Sequence, residues 1–223
     1  MTSHPTDHLR RSPVYRKLEA AGAAFRTLGD TAIAASVPGE QRPLGLLDLS
    51  PLPRSGFKGP RALEGLAALG LAVPKSNNQA TVSAAGAYVL RLSDTELLLL
   101  SKTDGGGALE AYEGLAIPGC YAAPRRDSHA WFLLAGPESA PCLAKLCGVD
   151  LRSHVFGDRA VAQTSLARLS GIVARDDRFG PPAYHVLVDR ASAPYLWDCL
   201  LDAMREFGGG PAGVDDLMDS ASA

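Results

Sequence analysis

Apolar residues recur along this chain in two rhythms. From 87 to 101, AYVLRLSDTELLLLS alternates apolar and polar positions in YVLRL, turns at Ser93 and Asp94, and returns through ELLLL. Period-two alternation around a short polar turn predicts a β-hairpin. A shorter apolar run at 44–49, the run AWFLLA at 130–135, the β-rich segment 160–177 and AYHVLVD at 183–189 read as further strands. The second rhythm is helical. After Gly59-Pro60, the residues Ala62, Leu63, Leu66 and Leu69 share one helix face, and Gly70 is placed to end the helix. Proline suits the first helical position because it lacks only an N–H that would have no partner there. Near the end of the chain, Leu196, Cys199, Leu200, Ala203, Met204 and Phe207 form an i, i+3, i+4 stripe. Trp197 and Leu201 widen that stripe to an arc of roughly 200°, against about 100° for an ordinary surface helix. Such an arc means either deep burial or contact with a partner.

The two rhythms repeat. AWFLLAGP ends in Gly136-Pro137 as SGFKGP ends in Gly59-Pro60, and leucines stand six and nine residues after each proline: Leu66 and Leu69, then Leu143 and Leu146. Both stretches then run into β-rich sequence. The expected fold class is therefore α+β, built from duplicated β-α-β-β-α units over about 41–120 and 121–209. Pro141 would interrupt the second helix if it began at Pro137, so a later start with Ser139 as cap is expected. TDGGGALEAYEGL (103–115) opens on glycines and continues as a short helix. Residues 1–40 read as an N-terminal extension or docking arm with a short helix within 14–28, and residues 210–223 as a polar tail.

Composition narrows the function classes. The chain has 223 residues, 46% hydrophobic and 21% charged, and a net charge of −2. A chain of this size buries a substantial core, and no basic excess is available to neutralise a phosphate backbone, so nucleic acid is not an expected partner. The longest strongly apolar runs fall far below the roughly 20 residues that span a bilayer, and the first residues carry no apolar stretch behind their charges. A cytoplasmic protein is expected. Cys120, Cys142, Cys147 and Cys199 include no CxxC pair and read as small core residues. Cys147 and His154 lack the second pair that a zinc site needs.

RRDSHAWFLLAGP (125–137) has the vocabulary of an active site. In a strand, successive side chains point to opposite faces, which sets Ser128, Ala130, Phe132 and Leu134 on one face and His129, Trp131 and Leu133 on the other. A serine nucleophile needs its base within hydrogen-bond reach, and no GxSxG elbow is present, so a Ser-His hydrolase is not expected. Arg125, Arg126 and Asp127 form an ion-pairing cluster at the strand entrance that faces either water or a neighbouring protein. TDGGGA and FGGGP match no phosphate-loop pattern and read as turns, and the adjacent Asp176 and Asp177 read as a solvated loop.

Several ordered segments together carry a resemblance: DSHAWFLLAGP, LAKLCGVDLR, VAQTSLARLSGIVARDD and ASAPYLWDCLLDAMREFGG, with FKGP and its helix in the first half. From about residue 45 to 209 the chain resembles the gamma subunit of heterotetrameric sarcosine oxidase, which is related to the folate-binding aminomethyltransferase fold. The resemblance implies a structural subunit in a complex that oxidatively demethylates sarcosine and passes the methyl carbon to tetrahydrofolate or releases it as formaldehyde. It implies alpha, beta and delta partner subunits that hold FAD, FMN, NAD, tetrahydrofolate and zinc, and an oxidoreductase activity that belongs to the assembly. It carries no catalytic, cofactor-binding or metal residue onto this chain, and the C-terminal barrel that aminomethyltransferases add is not expected within 223 residues. Arg125, Arg126, Asp127, Trp131, Trp197 and Leu201 are the candidate subunit-interface residues. Two alternatives accompany this reading. One is a gamma-like subunit of a related N-methyl amino acid oxidase or dehydrogenase. The other is a stand-alone folate-binding protein that supports iron–sulfur enzymes, whose signature is Lys-Gly-Cys-Tyr followed by Gly-Gln. Here Gly119-Cys120-Tyr121 is preceded by Pro118 and followed by Ala122-Ala123-Pro124.

Overall fold

The computed structural model describes residues 3–39, 42–106, 109, 112 and 114–216. The helix expected within 103–115 lies in large part outside these residues. In chain order, helix α1 (Tyr15–Ala20) leads into the hairpin β1 (Ala24–Leu28) and β2 (Thr31–Ser36). Strands β3 (Gly45–Asp48) and β4 (Arg54–Lys58) precede α2 (Ala62–Ala68). Then come β5 (Gln79–Val82), β6 (Tyr88–Ser93), β7 (Glu96–Leu100) and the short β8 (Tyr121–Ala122). The second half contains β9 (His129–Ala135), α3 (Ser139–Ala144), β10 (Val161–Leu166), β11 (Leu169–Asp176), β12 (Ala183–Asp189), α4 (Ala193–Met204) and β13 (Gly210–Ala212).

Two sheets stack in the middle of this α+β fold, with helices on both outer faces. The six-stranded sheet runs β10-β11-β12-β9-β3-β13 and the five-stranded sheet β5-β6-β7-β4-β8. The apolar runs explain the layering, because a strand buried on both faces needs apolar residues at every position. In β7, Leu97 and Leu99 pack outward against α2 residues Ala62 and Leu66, while Leu98 and Leu100 face the other sheet. In β9, Phe132 and Leu134 face the α3 and α4 layer, while Trp131 and Leu133 face the space between the sheets. The face assignment expected from strand alternation holds for β9.

The duplication is visible in the topology. Four strands of the first sheet lie in the order β5-β6-β7-β4, and their counterparts in the second lie in the order β10-β11-β12-β9. Each unit is a strand, a helix and then three antiparallel strands, one strand more than the simple β-α-β-β-α pattern before the closing helix. The Gly-Pro steps sit at equivalent bends: Gly59 has φ +134° and Gly136 φ +141°. A Cβ would fall 2.3 Å from the Gly119 carbonyl oxygen at Gly59, and 2.2 Å from the Pro43 carbonyl oxygen at Gly136. Backbone crossing at that distance admits only glycine. Helix α3 starts at Ser139 with Glu138 as the preceding cap residue, so Ser139 is the first helical residue and not the cap. Its hydroxyl instead points back to the Leu134 and Pro182 carbonyls. Pro141 therefore lies in the first turn, where its missing N–H costs no helical bond.

Both ends of the chain belong to the fold more than composition suggests. Val14, Leu18 and Phe25 enter the core under α4, and Ile33 enters the core between the sheets. The stretch 14–28 divides into α1 and β1 because Gly22, at φ +78°, turns the chain. At the other end, β13 pairs in parallel with β3 and Val214 is buried. The polar tail thus begins after a sheet strand, and residues 217–223 lie outside the description.

Candidate functional site

Sheet pairing brings four arginines to one end of the six-stranded sheet. Asp189, the last residue of β12, lies opposite His129, the first of β9, so the turn entering β9 and the turn leaving β12 are neighbours. The first carries Arg125–Asp127 and the second Arg190. Strand β3 continues alongside β9, with Leu49 N–H bonded to the Trp131 carbonyl, which sets Ser50 and Pro51 next to them. The N-terminal arm closes the far side. Thr31 at the start of β2 donates its hydroxyl to the Arg10 carbonyl at 3.0 Å, and Arg190 donates to the Arg11 carbonyl. The result is a pocket of about 170 Å³ lined by Leu9, Arg10, Arg11, Thr31, Ser50, Pro51, Arg126, Asp127 and Arg190.

Two carboxylates partly neutralise these cations. Asp30 pairs with Arg10 at 3.1 Å and with Arg126, and Asp127 pairs with Arg10 at 2.8 Å. Arg11 donates to the His8 and Thr6 carbonyls and lies over the Tyr15 ring. Among the described residues, neither Arg11 nor Arg190 meets a carboxylate. A fifth arginine, Arg54, lies beneath the pocket and is 2% exposed. It donates to the carbonyls of Ser50 (2.8 Å), Leu52 (2.9 Å), Arg126 (2.7 Å) and His129, so it ties the β3–β4 loop to the turn before β9. Burial, with the charges of Arg190 and Arg126 adding to it against the opposing charge of Asp48, pulls the Arg54 guanidinium down to about 10. Nearby Asp48 is 3% exposed, and its Oδ1 accepts from Ser50 N–H. Burial pushes its carboxyl above the usual range, against the lowering pull of the Ser12 and Ser50 hydroxyls and of Arg54.

The structure sorts the expected interface residues into two groups. Arg126 and Asp127 line the pocket; Arg125 turns away and pairs with Glu96 of β7, which also meets Lys58 at 3.2 Å. Trp131 and Trp197 are each 1% exposed and cannot reach a partner. Trp131 fills the space between the sheets, and Trp197 packs edge-on against Phe132 with ring centres 5.2 Å apart. The wide apolar arc of α4 thus reflects deep burial, with Leu201 half-buried against the same core. Ser128 precedes β9, and its hydroxyl lies 2.9 Å from His129 Nδ1. That corrects the expected separation of the two, because strand alternation starts only at His129. The contact is between adjacent residues in a turn. Burial, reinforced by the charges of Arg125 and Arg54, lowers the His129 pKa and favours the neutral ring.

Asp176 was expected in solvent, and the structure buries it at 1% exposure. Trp131 Nε1 donates to His185 Nδ1 at 3.0 Å. An indole can only donate, so the ring proton of His185 sits on Nε2 and faces Asp176 Oδ2 at 3.1 Å. Arg178 completes the network, paired with Asp176 at 2.6 Å and resting 4.9 Å over the Tyr88 ring. Burial alone would raise the Asp176 carboxyl; the hydrogen bonds from His185 and Arg178 and the charge of Arg178 outweigh it and hold the group below its usual range. Neighbouring Asp177 pairs instead with Arg175 at 2.7 Å. Among the described residues, no group of three or more His, Cys, Asp or Glu side chains is arranged to hold a metal ion, and no helix is long and apolar enough to cross a membrane.

Sequence reasoning missed Arg10, Arg11, Arg54 and Arg190 as members of one site. The only local signal was the Arg10-Arg11 pair, since the residues that surround the pocket come from five separate segments.

Comparison with known proteins places this fold. No family model matches the chain. Among solved structures, it is similar to a chain of the heterotetrameric sarcosine oxidase from Corynebacterium sp. U-96, in complex with pyrrole 2-carboxylate, with 25% identity and a TM-score of 0.69 over 91% of this chain and 98% of that one. It also shares its fold with the glycine cleavage system aminomethyltransferase T from Bartonella henselae, at 18% identity and a TM-score of 0.73, covering 94% of this chain and 61% of that chain. Curated relatives are aminomethyltransferases from Saccharopolyspora erythraea and Acidobacterium capsulatum, each 25% identical, over 92% and 77% of this chain respectively. The chain spans 61% and 49% of the length of those two relatives.

Proposed function

We propose that this chain is a non-catalytic structural subunit, of the gamma type, in a heterotetrameric sarcosine oxidase-like complex. The observation that carries the reading is the end-to-end match: 91% of this chain aligns with 98% of one chain of a heterotetrameric sarcosine oxidase, whereas 39–51% of each aminomethyltransferase relative lies beyond it. In this reading the complex oxidatively demethylates sarcosine or a related N-methyl amino acid in the cytoplasm. The alpha, beta and delta partners hold FAD, FMN, NAD, tetrahydrofolate and zinc. This chain contributes association surface, and the exposed face around Arg126 and Asp127 is the part of the expected interface that remains available to a partner.

Co-expression with the three partner chains tests the proposal. The expected result is a single large complex with a flavin absorption spectrum that loses stability and turnover when this chain is omitted. A three-chain complex of unchanged stability and turnover would refute it. The similarity to aminomethyltransferases over 92% of the chain supports a second reading, a stand-alone folate-binding protein. Titration of the isolated chain with tetrahydrofolate separates the two, since tight binding without a partner favours the second.

A further inference from the structure

We propose that the arginine-lined pocket is a binding site for a small organic carboxylate, held by the guanidinium groups of Arg11 and Arg190. Three observations support this. First, Arg10, Arg11, Arg126 and Arg190 are among the residues that line a concavity of about 170 Å³, and among the described residues only Asp30 and Asp127 pair with them, through Arg10 and Arg126. The chain as a whole carries a net charge of −2, so the local excess of positive charge is a property of this site and not of the surface in general. Second, the cations are held in place before any ligand arrives. Arg190 donates to the Arg11 carbonyl, Arg11 donates to the His8 and Thr6 carbonyls, and Arg54 fixes the loop and turn that form the floor. Prepared donors lose little freedom on binding. Third, the otherwise polar lining includes two apolar residues. Leu9 is fully exposed and Pro51 lines the same wall. A planar guanidinium fork matches a carboxylate in bidentate fashion, and the exposed Leu9 side chain offers contact to a short carbon body that inorganic phosphate lacks.

Titration calorimetry on the isolated full-length chain tests the site without reference to any assembly, so its failure leaves the subunit reading untouched. Succinate is the probe, with inorganic phosphate as the competing anion. Saturable one-site binding of succinate, tighter than that of phosphate, is expected. Arg190→Gln weakens it by about tenfold, the loss of roughly one charge-assisted hydrogen bond, and adding Arg11→Gln weakens it further. Arg205→Gln, on an exposed residue at the far end of α4 paired with Asp202, leaves it unchanged. If Arg190→Gln fails to fold, Arg11→Gln alone carries the test, because among the described residues that side chain donates only to carbonyls of the arm and rests over the Tyr15 ring. The proposal is overturned if succinate does not saturate, if phosphate binds as tightly, or if the Arg11 and Arg190 variants bind as the parent does.

Discussion

Arg54 shows how one side chain can organise a site that it does not line. A guanidinium presents five donors in a rigid fork, and here that fork satisfies carbonyls from two loops that meet only in the folded chain. Lysine keeps the charge but loses the fork. We therefore expect Arg54→Lys to cost about 2–4 kcal/mol in urea unfolding, since buried carbonyls lose their donors. Asp176 illustrates the opposite balance, a buried carboxylate made favourable by its partners. Its folded pKa is depressed below the ordinary value near 4, so the folded state binds fewer protons than the unfolded one. The stability it contributes is present above about pH 4 and is lost as the pH falls below that value. Asp176→Asn should lose about 3 kcal/mol at neutral pH and show a flatter dependence of Tm on pH below about 4. A variant as steep as the parent would mean that other carboxylates drive the acid transition.

At the scale of elements, local signals and long-range contacts can be told apart. The β6–β7 hairpin, the helices that follow the two Gly-Pro steps and the stripe of α4 were all legible, because each depends on residues close in sequence; α2, however, begins at Ala62 with Arg61 as its cap residue, so Pro60 precedes the helix and does not take its first position. The β10–β11 hairpin was legible as β-rich sequence, but its turn was not. Ala167 and Arg168 occupy φ +49° and +67°, a conformation normally left to glycine or asparagine. Tertiary contacts hold it there: Ala167 N–H bonds to the Leu146 carbonyl, and Tyr195 donates to the Ala167 carbonyl at 3.2 Å. Arg168→Gly should relieve the strain and raise stability by about 0.5–1 kcal/mol in thermal unfolding. Gly136→Ala should do the reverse and cost about 2 kcal/mol or more, because the new methyl meets the Pro43 carbonyl and the φ is one that alanine avoids. A neutral Gly136→Ala would show that the two backbones separate easily.

For the whole molecule, the stacked sheets decide what is available to a partner. Both tryptophans serve the chain's own packing, so their emission should lie toward the blue in the isolated chain and stay there when a complex forms. A red-shifted spectrum that moves to the blue on assembly would return them to an interface. Sequence alone determined the α+β class, the types of strands β3, β6, β7 and β9–β12 and of helices α2–α4, and the internal repeat, because periodicity and Gly-Pro punctuation act over a few neighbouring residues. Even the two faces of β9 followed from alternation once its first residue was known. Tertiary structure alone decided which way the wide face of α4 points, that Asp176 is buried beside His185, and that residues 14–37 belong to the core. It also assembled the arginine pocket. Arg11 and Arg190 stand 179 positions apart, and they meet because β12 lies against β9 and the arm folds over the end of both. No local pattern encodes that meeting, since it arises from strand order, and strand order is set by how the two apolar sheets and their helices bury one another.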